Sequence, residues 1–346
     1  MRLSRTTVAI AVYAVGSAFS ALLAVQNARP IALVAVALVP VAVILRAKPV
    51  ALVTTLVVGG AILRLAFFGV LDADGLAISR GALNAVLSGG NPYAQGYAVS
   101  IPPGAPFVYG PLALLTSIPG AWVELAAGVA TMALMGYVRA WVALAIYATA
   151  PLVTTMTMSG TNDVLPGLLI AAGLMALRSP RPWVGALLVA LAAAIKPYGF
   201  AWYPAVVALG GLPALAALLV VTALAWSPLL VWGIRPFLDA VEKARAFHLV
   251  PQDALNLPEW RPIAVVPFVL SLFSRSWLAG VMLGTAVFVL VLYLDRWASI
   301  SYWLALAPIL LIAGEEAVGR VFTARRDQAA GALAAARSST HSAPSS

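Results

Sequence analysis

The sequence predicts an all-α, polytopic membrane protein. Composition is the first reason: of 346 residues 62% are hydrophobic and 10% charged, with a mean hydropathy of +0.98. Soluble domains lie near about 45–50% apolar and about 25% charged. The second reason is spacing, since apolar runs of near-membrane length recur along the chain between short polar turns. Together these exclude a soluble enzyme and a disordered body. The absence of cysteine excludes disulfides, iron–sulfur clusters, thiolate zinc sites and cysteine nucleophiles.

In order, the candidate spans are 7–25, 30–45, 50–69, 122–138, 141–158, 164–177, 183–196, 199–211, 213–232, 263–274, 277–294 and 298–313. They predict roughly 10–13 transmembrane helices, several of them short and suited to broken or re-entrant paths. Arg2 and Arg5 before the first run resemble a signal peptide, but the apolar runs that follow favour a retained first helix. Placing the N-terminus in the cytoplasm puts Arg46, Lys48, Arg139, Arg178, Arg181, Arg275 and Arg320 inside. Of the acids only Glu315, Glu316 and Asp327 then fall inside, so carboxylate chemistry belongs on the outer face. Both termini are cytoplasmic in this reading of a multi-pass cell-membrane protein. The organisation is a single membrane domain over 1–319, with long outer loops at 70–121 and 233–262, and a flexible cytoplasmic tail over 320–346. The net charge of +9 is spread over short turns, which excludes nucleic acid as a partner.

The first outer loop holds the densest signal. It begins Asp72-Ala-Asp74-Gly, continues as a helix to Leu87, and stops at Gly89. Leu76, Leu83 and Leu87 share one face, predicting a helix that lies along the membrane surface. Asp74 stands where an N-cap belongs. The acid pair therefore reads either as a cap with a solvated neighbour or as a catalytic and metal- or acceptor-binding site. Asn91-Pro92-Tyr93 reads as a turn. Asp163 closes the break Ser159-Gly-Thr-Asn-Asp and precedes a helix, again a capping position. Lys196 ends a nearly charge-free span, where an ionisable residue is either a functional cation or one that snorkels to the interface. Arg64, near the outer end of span 50–69, is a second candidate cation. His248 in the second loop is a surface histidine or a group that binds phosphate or moves a proton; alone, without cysteine, it makes a poor zinc ligand.

Taken in order, these residues resemble the GT-C superfamily of multi-spanning glycosyltransferases that use polyprenyl-phosphate sugars. The nearest likeness is to the alpha-mannosyltransferases of glycosylphosphatidylinositol and phosphatidylinositol-mannoside synthesis. The resemblance rests on Asp72/Asp74, Gly89-Gly90-Asn91-Pro92-Tyr93, Phe107-Val108-Tyr109-Gly110-Pro111-Leu112, Pro119 with Glu124, Pro151 with Gly160-Thr161-Asn162-Asp163, and Lys196-Pro197-Tyr198 with Pro204. It covers about residues 60–210. It departs from those families in lacking an aromatic between Gly75 and Ala82, and in having no matching pattern between Asp239 and Arg261.

The resemblance implies transfer of a hexose, mannose first, from a dolichyl- or other polyprenyl-phosphate donor to a lipid or glycan acceptor among the membrane lipids. In that reading Asp72 is the base, with Asp74 its alternative or the acceptor's positioner. Lys196, Arg64, His248 and Tyr198 meet the donor phosphate, and Asn91, Tyr93, Tyr109, Glu124 and Asp163 line the substrates. A divalent cation at Asp72/Asp74 is compatible with the pair and not required by it. A transporter or lipid flippase is the competing class; it would place charge near the midplane and show related halves, and no repeat is visible here.

Overall fold

The computed structural model describes residues 4–71, 73–101, 103–246, 255, 257–295 and 299–341. Three helices open it: α1 (Arg5–Leu23), α2 (Arg29–Ile44) and α3 (Pro49–Ala66). The first long loop follows, with α4 (Gly75–Leu87), the antiparallel pair β1 (Gly96–Tyr97) and β2 (Ala105–Pro106), and α5 (Leu112–Thr116). Next come α6 (Ala121–Tyr137), α7 (Trp141–Thr149), α8 (Pro151–Met156), α9 (Val164–Ala176) and α10 (Pro182–Ile195). A 3₁₀ segment (Pro197–Trp202) leads into α11 (Tyr203–Trp226) and α12 (Leu229–Trp232), followed by α13 (Ile234–Ala246) and a 3₁₀ segment (Pro258–Ala264). The chain closes with α14 (Val265–Ser271), α15 (Trp277–Tyr293) and α16 (Tyr302–His341).

This is the all-α membrane architecture that the composition predicts. Arg5–Leu23, Arg29–Ala47, Pro49–Ala66 and Pro197–Trp226 are long and apolar enough to cross a membrane, and α6, α9, α10 and α15 are shorter apolar helices. Large apolar side chains point outward along them, among them Leu224 and Ile44, as expected where lipid is the solvent. At the centre α10 packs between α9 and α11, and α9 also meets α6 and α16. The face of α10 is built of small buried residues, Ala186, Ala190, Ala193 and Ala194, which let the neighbouring backbones approach closely.

The breaks are where the structure departs from uninterrupted spans. Segment 141–158 is two helices, α7 and α8, parted at Pro151. The expected pair 199–211 and 213–232 is joined in α11, kinked where Gly211 has φ 64° ahead of Pro213, with residues 199–202 in the preceding 3₁₀ segment and 229–232 in the separate α12. The expected span 263–274 holds the end of the 3₁₀ segment and the seven residues of α14. Beyond residue 319, where a frayed tail was expected, α16 continues as helix to His341.

Arg64 shows how one break is made tolerable. Pro151 has no N–H, so the Tyr147 carbonyl four residues earlier loses its helical donor. Arg64 lies wholly buried between α3 and α7 and supplies the missing donors: Nη2 donates to the Tyr147 oxygen at 2.9 Å and Nη1 to that of Ala148 at 3.4 Å. Its guanidinium also lies 5.0 Å from the Tyr147 ring centroid. Replacing Arg64 by Met should therefore strip both carbonyls and cost about 1–3 kcal/mol of stability. Thermal unfolding of the detergent-purified protein reads this, and an unchanged midpoint would mean the carbonyls are satisfied by other means.

Candidate functional site

The site starts from a break in the backbone. Between α8 and α9 the chain leaves the helix along Ser159-Gly-Thr-Asn-Asp163, and Asn162 takes the left-handed φ of 58° that asparagine tolerates. Asp163 then stands at the N-cap of α9, but its side chain does not cap the helix. Glu124, from the first turn of α6, does so instead: its Oε2 accepts from the Val164 N–H at 2.7 Å. The Asp163 carboxylate is thereby free to turn inward.

There it meets Lys196. The ammonium sits 3.0 Å from Asp163 Oδ1, with both side chains at most 5% exposed. Tyr198 donates to the same oxygen at 2.9 Å, and Ser301, from the turn before α16, donates to Oδ2 at 2.9 Å. Lys196 also donates to the Thr161 carbonyl at 3.2 Å, while its Nζ lies 4.3 Å from the Tyr109 ring centroid and 5.9 Å from that of Tyr302. The cation expected to meet a phosphate is thus engaged by the Asp163 carboxylate inside the bundle, and Tyr198 binds that carboxylate rather than a phosphate. Ser301 and Tyr302 were not singled out from sequence; nothing local to Ser299-Ile-Ser301-Tyr302 marks them, since their significance lies in what they touch.

The first loop is docked on this knot. Ala73 N–H donates to the Ser159 carbonyl at 2.6 Å and Leu76 N–H to that of Gly160 at 2.7 Å, so the start of α4 lies on the break itself. Gly110 N–H donates to Ile195 O at 3.0 Å, immediately before Lys196, and a side chain at Gly110 would strike the Ala194 carbonyl. Asp74, also an expected cap, instead accepts the Ile101 N–H on Oδ2 at 2.9 Å, pinning the far limb of the loop. Burial pushes the Tyr109 phenol above its ordinary value; Lys196 counters the shift, and Asp74 and Asp163 reinforce it. Asp74, Tyr109, Lys196 and Asp163 accordingly share one electrostatic neighbourhood.

Asn91 and Tyr93 build the turn that faces the second loop. Asn91 Oδ1 accepts the Tyr93 N–H at 3.0 Å, an Asx turn, and its amide donates to the Trp232 carbonyl at 2.6 Å. Tyr93 is buried against Phe107, Trp232 and Phe237, with its hydroxyl donating to Tyr109 O at 3.0 Å; that burial raises its phenol above the usual range. The two long loops therefore pack as one unit at one end of the bundle.

Beside this unit lies an open cavity of about 500 Å³. Its walls are apolar, from Pro197, Phe200, Phe268, Phe288, Val291 and Leu292, and Tyr198 is the wall it shares with the buried knot. Its polar lining is Arg245 and Arg261, both paired to Asp295: Arg261 Nη1 lies 2.6 Å and Arg245 Nε 3.4 Å from Asp295 Oδ2. A second, smaller cavity of about 270 Å³ lies between Phe68, Ala73, Arg80, Gly120, Ser159 and Gly160, against the docked start of α4.

Asp72 and His248 lie outside the described residues. Arg64 serves the α7–α8 break and has no contact with the Asp163 carboxylate. Among the described residues no three His, Asp or Glu side chains converge as a metal-binding group, and one oxygen of Asp74 is already engaged.

Lys196→Met leaves Asp163 a buried, uncompensated carboxylate, and Asp163→Asn leaves Lys196 a buried ammonium; each should cost about 3–5 kcal/mol. The double variant should recover part of the loss, and a double-mutant cycle in thermal stability measures the coupling. Additive losses would show the pair to be independent. Glu124→Gln, which keeps an acceptor for Val164 N–H, should be milder than Glu124→Ala, whose lost cap is worth about 1 kcal/mol.

No curated protein and no solved structure matches the chain. One family does: residues 101–260 match glycosyltransferase family 87. The matched stretch holds Tyr109, Glu124, Asp163, Lys196 and Tyr198, as well as α13 with Arg245. In a chain whose apolar helices are those of a membrane protein, this similarity to family 87 supports a membrane glycosyltransferase, which acts on a sugar donor and an acceptor.

Proposed function

We propose that the protein transfers a hexose, mannose first, from a polyprenyl-phosphate donor to a lipid or glycan acceptor at the extracytoplasmic face. The observation that carries this reading is the open apolar cavity with two arginines in its lining and Tyr198 at its wall. A polyprenyl chain needs an apolar channel, and its phosphate needs cations with paired donors, which guanidinium groups provide. Arg245 and Arg261 take the phosphate, and the chain lies along α14 and α15. Lys196, Tyr198 and Asp163 act behind that wall by holding the break and the first loop in place.

A sugar hydroxyl is a weak nucleophile unless its proton is taken as it attacks. Asp72 is the base in this reading, with Asp74 positioning the acceptor from the start of α4. The acceptor oxygen bonds to the anomeric carbon as the bond from that carbon to the phosphate oxygen breaks. The proton goes to the carboxylate and the electron pair to the leaving lipid phosphate, whose growing charge the arginines stabilise. Single displacement inverts the centre, so a beta-linked donor yields an alpha product. The smaller cavity beside Ala73 and Arg80 suits the acceptor's hydroxyl-bearing end.

With a labelled polyprenyl-phosphate-mannose and total membrane lipids, the wild type should form a labelled product. Asp72→Asn should abolish transfer while retaining the wild-type melting temperature. Wild-type rates in Asp72→Asn would remove that residue from the mechanism, and failure of every sugar in a donor panel would overturn the transferase reading. Arg261→Gln should raise the donor KM about tenfold or more, as loss of a charged hydrogen bond to phosphate does, with the acceptor KM unmoved.

A further inference from the structure

The two arginines of the cavity are held by the carboxylate of Asp295. A single oxygen, Oδ2, takes Arg261 at 2.6 Å and Arg245 at 3.4 Å. The three residues come from three places: Arg245 from the last turn of α13, Arg261 from the 3₁₀ segment before α14, and Asp295 from just past the end of α15. Nearby, Leu255 N–H donates to Tyr293 O at 2.7 Å and Leu257 N–H to Leu294 O at 2.9 Å, so the second loop runs along the open end of α15. Asp295 is the most buried of the three, its side chain 10% exposed against 27% for Arg261 and 45% for Arg245. Both arginines line the cavity, and Asp295 is not among its lining residues.

We propose that Asp295 is a positioning residue that competes with the donor's phosphate for Arg245 and Arg261, and so sets how readily the lipid phosphate product leaves. This rests on the reading of the cavity as the polyprenyl-phosphate site. The chemistry follows from charge. The donor is a phosphodiester with one negative charge. The product is a phosphomonoester, whose charge at neutral pH is about −1.5 to −2. Two free guanidiniums would therefore hold the product more tightly than the substrate, and turnover would stall on release. An internal carboxylate bound to the same donors weakens both complexes and recaptures the arginines as the product departs. Binding becomes an exchange of one anion for another, in which the buried partner never diffuses away. The guanidiniums also stay paired throughout, which a partly desolvated cation requires.

The test uses the full-length protein in detergent, with a polyprenyl phosphate as the probe and tryptophan fluorescence or thermal shift as the readout. Asp295→Asn keeps the shape and a hydrogen-bond acceptor but removes the charge. Its affinity for polyprenyl phosphate should rise about tenfold at low salt, and the gain should shrink as ionic strength increases. In steady state the donor KM should fall and kcat should fall with it, because release of product becomes limiting. A residue that merely holds the loop would change in the opposite sense, with weaker binding and a higher KM. Unchanged or weaker binding in a folded Asp295→Asn protein overturns the proposal. Should that variant not fold, Asp295→Ser carries the same expectation. Arg261→Gln separates the two levels of inference. If it loses polyprenyl phosphate while Asp295→Asn gains nothing, the cavity reading stands and the role of Asp295 fails. If Arg261→Gln binds as the wild type does, the cavity reading itself fails. Inorganic phosphate binding as tightly as polyprenyl phosphate would show an anion site without a lipid and overturn the proposal as well.

Discussion

An ammonium and a carboxylate 3.0 Å apart, both sealed inside an apolar bundle, are the constraint around which this molecule is arranged. Neither charge is tolerable there alone, because desolvation of a single ion costs several kcal/mol. Each therefore dictates where the other must be, and with them the segments they belong to. Asp163 fixes the break before α9, and Lys196 fixes the end of α10. Tyr198 and Ser301 bring in the start of the next segment and the approach to α16. The first long loop then lies on this assembly through Tyr109, Gly110, Ala73 and Leu76. A polar knot of this kind supplies precision rather than bulk stability: it has one geometry in which all members are satisfied.

A second regularity runs through the helix breaks. In a membrane-embedded bundle the backbone groups freed by a break cannot be left to water. Here they are met by charged side chains from another helix. Arg64 of α3 supplies a donor to the Tyr147 carbonyl that Pro151 leaves open. Glu124 of α6 accepts from the first amide of α9. Glu315 of α16 accepts the Ala143 N–H at 2.8 Å, in the first turn of α7. Arg64 and Glu124 look functional by their depth alone, yet each serves the backbone at a helix break or helix start. Such backbone is what allows loops to approach a reaction site from within a bundle of otherwise regular helices.

The apolar cavity and the polar knot share the wall made by Tyr198. That juxtaposition suits a substrate that is mostly hydrocarbon and reacts at one charged end. The similarity to family 87 takes in Asp163, Lys196 and Tyr198 of the knot, though not Ser301, together with α13 and Arg245, and stops just short of Arg261. It thus embraces both the rigid part that positions the first loop and one limb of the loop unit facing the cavity.

The membrane class and the position of nearly every apolar helix were legible in the sequence. The reason is that lipid imposes a length and a hydropathy on each span that no local context can disguise. The turn at Asn91-Pro92-Tyr93, the break ending at Asp163 and the unusual depth of Lys196 were legible too, because proline, glycine and buried charge are local signals. What the tertiary structure alone decided was the pairing. Adjacency suggested Asp163 as the cap of α9, whereas Glu124, 39 residues earlier, takes that task and releases Asp163 for Lys196. Ser301 joins from 138 residues away, and Arg245, Arg261 and Asp295 meet from three separate segments. Side-chain direction and inter-helix distance settle such partnerships, and neither quantity is written in the order of residues along one chain.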